Sequence, residues 1–208
     1  MTIQSLVLAA ILSLVGMPHK PAPAIGSAEH TRLDTFAGHI ATAVNAEGAA
    51  IPFAGAAAKQ SGALLLTALS FHESGFRESV ITCEKRGALG EISAFQLLSP
   101  LAFGVDANGK RNTAKAICAS VPLAASRALA VFVSYAERCK MGGPLALWRA
   151  YAKGSCGGPA PVRIFRKGAL VVVDKDAGLT RCKTWERLAA RAGLVGASCY
   201  KHQPIEFK

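Results

Sequence analysis

The stretch Leu65-Leu66-Thr67-Ala68-Leu69-Ser70-Phe71-His72-Glu73-Ser74-Gly75-Phe76 decides how the rest of the chain is read. From Gln60 to Glu73 it is rich in Leu and Ala and reads as a helix. Gly75 follows as a helix C-terminal stop often does. Leu65, Leu66 and Leu69 lie one or two turns before Glu73 on its own face, so the carboxylate projects from the edge of an apolar stripe. Desolvation against those neighbours and the negative end of the helix dipole both disfavour its anion. A carboxyl held protonated near neutral pH suits proton donation to a glycosidic oxygen. Alone, the feature reads more simply as an ordinary glutamate at a helix end, facing water.

Working outward, the periodicity predicts further helices. Phe36, Ile40 and Val44 form a stripe that Gly48 to Pro52 ends. Leu123 to Cys139 is strongly amphipathic and stops at Gly142 and Gly143. Pro144 then opens a helix to about Lys153, as proline suits a first turn. Thr184 to Ala192 reads as a last helix, and Ala169 to Val173 as the one convincing strand. The expectation is a mainly α chain in three parts. Residues 1–28 are a signal peptide or N-terminal anchor, 29–158 a compact domain, and 159–208 a C-terminal extension stapled by cysteines.

Export is argued from two features. Leu6 to Met17 is a short apolar run, broken by prolines and small residues from Pro18 to Ala28, with Ala22-Pro23-Ala24 and Gly26-Ser27-Ala28 as candidate cleavage sites. No Lys or Arg precedes it, which keeps a buried N-terminal helix open as an alternative. All six cysteines (Cys83, Cys118, Cys139, Cys156, Cys182 and Cys199) lie after it, with none in a C-x-x-C pair. An even, widely spaced set reads as disulfides in an oxidising compartment, secreted or periplasmic, and the pairing stays open. The 24 Lys and Arg against 13 Asp and Glu, a net +11, imply an anionic partner or surface such as nucleic acid, acidic lipid or bacterial wall. Few aromatics and no recognised motif count against nucleic acid.

Three blocks in order, over roughly residues 60 to 155, resemble the family of lytic transglycosylases and goose-type lysozymes, which cut the glycan strands of peptidoglycan. The first is the quoted helix ending in Glu73-Ser74-Gly75-Phe76. The second is a Gly-rich turn leading to a Gln, here Gly87-Ala88-Leu89-Gly90-Glu91-Ile92-Ser93-Ala94-Phe95-Gln96. The third is a helix ending in Ala146-Leu147-Trp148-Arg149-Ala150-Tyr151-Ala152-Lys153-Gly154. The chain departs from the family in extra residues around Thr82 to Arg86, in Phe95 where Met is common, and in Ala152 where Asn is usual.

The resemblance implies a lysozyme-like fold with a cleft, and roles by position. Glu73 protonates the leaving glycosidic oxygen. Ser93 and Gln96 hydrogen-bond sugar hydroxyl or acetamido groups, and Tyr151 directs its hydroxyl towards the acid. Phe95 and Trp148 are wall residues or, as aromatics at such spacing more often are, core. Ser74 is a turn residue bonded to backbone, and His72 faces away from the site. Glu91 either positions a hydrolytic water or is a solvated turn residue. A water-activating base is what inverting hydrolysis requires, and retaining hydrolysis commonly uses a carboxylate nucleophile. The transglycosylases require neither, because the substrate's acetamido group and its 6-hydroxyl complete the reaction. The partner implied is the peptidoglycan glycan strand. No cofactor and no metal are implied. A binding or structural protein on the same scaffold, indifferent to Glu73, is the alternative.

Overall fold

The computed structural model describes all residues except 17–20, 88–89, 99, 107, 140–142, 160, 167–168, 195 and 201–208, and backbone only at 100, 162–166 and 169–173. The elements run α1 (Ile3–Val15), α2 (Ala28–Asn45), α3 (Ala58–Ser74), α4 (Glu78–Ile81), α5 (Pro100–Phe103), α6 (Ala114–Ala119), α7 (Val121–Cys139), α8 (Pro144–Lys153), β1 (Val162–Arg166), β2 (Ala169–Asp174) and α9 (Ala177–Arg191). The chain is therefore mainly helical, as expected. The expected helix stop at Gly142 and the basic residue Lys167 lie outside the described residues.

Helix α3 is the axis of the molecule. Every residue from Gly62 to Ser70 is buried, and α1, α2, α7 and α9 pack around it. A helix apolar on all sides is stable only when surrounded in this way. Its two buried hydroxyls turn back on the helix: Thr67 donates to the Ala63 carbonyl (2.8 Å) and Ser70 to that of Thr67 (3.1 Å). Buried polar atoms are thus satisfied without a tertiary partner.

The N-terminal apolar run is helix α1, capped where the Thr2 hydroxyl accepts from the Ser5 N–H. It packs on α2 and α3 and buries Leu6, Val7, Ala10, Ile11 and Leu14. Among the described residues no helix is long and apolar enough to cross a membrane.

The C-terminal segment departs most from expectation. The lone strand has a partner: β1 and β2 form an antiparallel hairpin, Ile164 opposite Val171. A single strand leaves its backbone groups unpaired, so a partner is the physical requirement. The last helix begins at Ala177, seven residues earlier than Thr184, because the Asp176 carboxylate accepts from the Leu179 N–H and caps it. Helix α9 packs on α3 and α8, and Cys182, Trp185, Leu188 and Ala189 join the same core as α1 to α8. Helix α9 thus covers the core.

Two contacts set the α8–α9 crossing. Arg149 pairs with Asp176 at 2.6 Å. Gly178 lies so close to the backbone of Arg149 that a Cβ there would collide with it. Three disulfides close the chain: Cys83–Cys118, Cys139–Cys156 and Cys182–Cys199. Such bonds persist in oxidising compartments.

Candidate active site

The end of α3 is shaped by two successive left-handed residues, Gly75 (φ 58°) and Phe76 (φ 57°). The Gly75 N–H closes the helix on the Phe71 carbonyl. Ser74 holds the reversal: its hydroxyl donates to the Ser70 carbonyl (2.6 Å) and accepts from the Phe76 N–H (3.1 Å). This is the turn role expected of it. The buried Phe76 ring meets Phe36 edge-on, which anchors the turn in the core. A non-glycine residue in the left-handed region carries strain that the surroundings must offset, and such residues cluster at functional sites.

Glu73, on the last turn of α3, thus faces a cavity of about 420 Å³. Glu91, Gln96, Tyr151, Tyr135, Lys153 and Arg181 also line it, with Leu97, Leu98, Ala102 and Val131 as its apolar part. Four of the five residues singled out from sequence therefore meet at one cavity, although they come from three separated segments.

Ser93 is the exception. It is buried, outside the cavity lining, and its oxygen accepts from the Phe95 N–H (3.3 Å). Its own N–H donates to Cys83 Sγ. Its oxygen shapes the turn, and unlike the other four residues it does not line the cavity. Phe95 and Trp148 are core residues, 0% and 1% exposed, so neither forms a cavity wall.

The Gly-rich segment delivers Glu91 and Gln96. Ile92 and Leu97 pair through two backbone hydrogen bonds and close a tight turn. Ser93 (φ 67°) and Gln96 (φ 51°) both adopt left-handed backbone there. The Gln96 amide donates to the Ser93 carbonyl (3.1 Å), tying the side chain to its own turn. Gly87 sits against the Glu91 and Gln96 side chains, where a Cβ would collide with both. A side chain there would push the ends of both aside. Cys83–Cys118 holds the inserted stretch before this turn against α6.

Tyr151 of α8 donates its hydroxyl to the Phe95 carbonyl (2.7 Å) and stacks on Phe132 (4.5 Å between centroids). Burial raises its pKa well above the ordinary range, and the Glu73 charge adds to this. It is a neutral hydroxyl that ties α8 to the turn at the edge of the cavity.

The electrostatics of Glu73 has a part invisible in the sequence. Arg181 of α9 lies against it, with Nε at 2.9 Å and Nη2 at 2.7 Å from Oε1. The side chains are only 13% and 15% exposed. Burial raises the Glu73 pKa, the Arg181 charge and hydrogen bond pull it down, and the Glu91 charge pushes it up again. Burial prevails, so the carboxyl titrates above its ordinary value. The helix-end argument gave the same direction but lacked the arginine. A last helix read from Thr184 does not include Arg181, which lies 108 residues from its partner; no local pattern marks such a pair.

His72 faces away from the cavity, as expected. Its Nε2 lies 2.9 Å from the Thr184 hydroxyl, which itself donates to the Thr180 carbonyl. The ring is thereby tied to α9. Burial, then the charge on Arg181, lower its pKa to about 4.

The arrangement offers a shielded carboxyl, a second carboxylate, an amide and two cations around a space large enough for part of a polar chain. Among the described residues no group of three His, Cys, Asp or Glu side chains is placed to hold a metal. Comparison of the chain with family models, with curated proteins and with solved structures finds no match.

Proposed function

We propose that this protein is a secreted or periplasmic peptidoglycan glycosidase that cleaves the MurNAc–GlcNAc β-1,4 bond on a lysozyme-like scaffold, with Glu73 as general acid. The observation that carries the reading is the convergence of Glu73, Glu91, Gln96 and Tyr151 on one cavity. Four of the residues to which the resemblance to lytic transglycosylases and goose-type lysozymes gives roles thus share a surface. Their chemistry fits the reaction. Burial raises the pKa of the carboxyl, which favours the protonated form that can give its proton to the leaving oxygen. Gln96 offers donor and acceptor to sugar substituents, and Glu91, on the same cavity, is the group that activates water if the outcome is hydrolysis. The basic surplus favours binding to an anionic wall.

A second reading has one observation in its favour. The Arg181–Glu73 pair is also what a purely structural ion pair looks like, so a wall-binding protein on the same scaffold is the alternative.

Digestion of purified peptidoglycan by the oxidised protein, beside Glu73→Gln, with products read by mass, separates these readings. The expected result is cleavage that falls at least about 100-fold in the variant. Products with 1,6-anhydro ends assign a transglycosylase and leave Glu91 structural. Reducing ends assign a hydrolase and give Glu91 the water. Wall binding without cleavage by either protein refutes the enzyme.

A further inference from the structure

We infer that Arg181 is a positioning residue of the Glu73 site, delivered from the C-terminal segment, which grips Glu73 Oε1 and leaves Oε2 as the oxygen that carries the proton towards the cavity. The inference rests on the general-acid reading of Glu73.

The geometry carries the argument. Both guanidinium bonds fall on the same oxygen, Nε at 2.9 Å and Nη2 at 2.7 Å from Oε1. A carboxylic acid protonated on Oε2 still presents Oε1 as a carbonyl-like acceptor. Arg181 can therefore hold the carboxyl in the same orientation before and after proton transfer. When Oε2 gives up its proton, the new anion is already hydrogen-bonded to a cation, and no group need move to receive it. A lysine has no planar fork with which to fix the carboxyl plane.

The surrounding structure holds Arg181 in turn. It sits one turn into α9, which is capped by Asp176 and bound to α8 through Arg149. Cys182, the next residue, is buried and bonded to Cys199. Thr184, one turn on, holds His72 beside Glu73. Two adjacent residues of α3 are thus bound by two residues of α9 spaced three apart.

Among the described residues, other ionisable groups also line the cavity. Glu91 comes from the Gly-rich turn, Tyr151 and Lys153 from α8, and Tyr135 from α7. His72 on α3 itself is turned to Thr184. Arg181 is the cation bonded to the acid.

The test uses the full oxidised chain and its Arg181→Met, Arg181→Gln and Arg181→Lys variants. Peptidoglycan cleavage is followed across pH, and the Glu73 carboxyl is titrated directly by carbon NMR of labelled glutamate. Removing the charge should raise the Glu73 titration and the basic limb of the rate profile by about one pH unit or more. The plateau rate should fall about ten-fold or more as the orientation is lost. Arg181→Lys should restore the position of the limb but not the plateau. Arg181→Gln keeps an amide donor and covers the case in which Arg181→Met does not fold. A Glu73 titration unmoved in a folded neutral variant overturns the inference, as does a lysine variant of full rate. If the wild-type protein does not cleave peptidoglycan, the general-acid reading falls and the positioning role with it. A titration that still shifts would then show only that the two charges are coupled.

Discussion

Replacing Trp185 by alanine tests whether α9 belongs to the core. The indole is 2% exposed, stacks face to face on Phe53 (5.3 Å between centroids, 3° between planes), and donates its N–H to the Ser61 carbonyl on α3 (3.2 Å). Truncating a buried aromatic of this size costs about 3–5 kcal/mol, from lost transfer energy and the cavity left behind. Domains of this size are stable by about 5–15 kcal/mol, so the change removes a large share. In a chain of this length each kcal/mol lowers Tm by about 2–4 °C, which gives a drop of about 6–20 °C. Trp185→Phe keeps a ring against Phe53 and loses the N–H, and should cost only about 1–2 kcal/mol. Urea denaturation of the oxidised proteins, followed by far-ultraviolet circular dichroism, measures both. A Trp185→Ala variant within about 1 kcal/mol of wild type would refute the packing of α9 on α3.

Two other perturbations separate site from scaffold. Gly87→Ala places a Cβ against Glu91 and Gln96, so cleavage should fall about ten-fold or more. The stability should change little, because the obstructed atoms are ends of flexible side chains; unchanged kinetics in a folded variant would contradict the site geometry. The His72 pKa of about 4 lies below the unfolded value near 6.5, so the unfolded chain binds the proton first. The neutral ring's contribution is intact above pH 6.5 and is lost as pH falls towards 4. His72→Gln should flatten that part of the stability profile in denaturant titrations at stepped pH. An identical slope in variant and wild type would place the acid sensitivity elsewhere.

Much of the molecule follows from local sequence. The apolar pattern of α3, the stripe of α2, the amphipathic α7 and the proline-led α8 are readable because each helix buries a face whose spacing is written in successive residues. Glu73, Glu91, Gln96 and Tyr151 are legible in another way, each standing in a short block of recognisable order, and the fold brings the four to one cavity. Tertiary structure decided the rest. It decided that Ser93 turns inward to its own turn, since a residue type does not say which way a strained turn points. It decided the cysteine pairing, and that the N-terminal run packs on α2 and α3. Above all it decided that Arg181 meets Glu73. That contact depends on where a capped helix begins and how it crosses α3 and α8, and those are set by shape and charge between segments far apart in the chain.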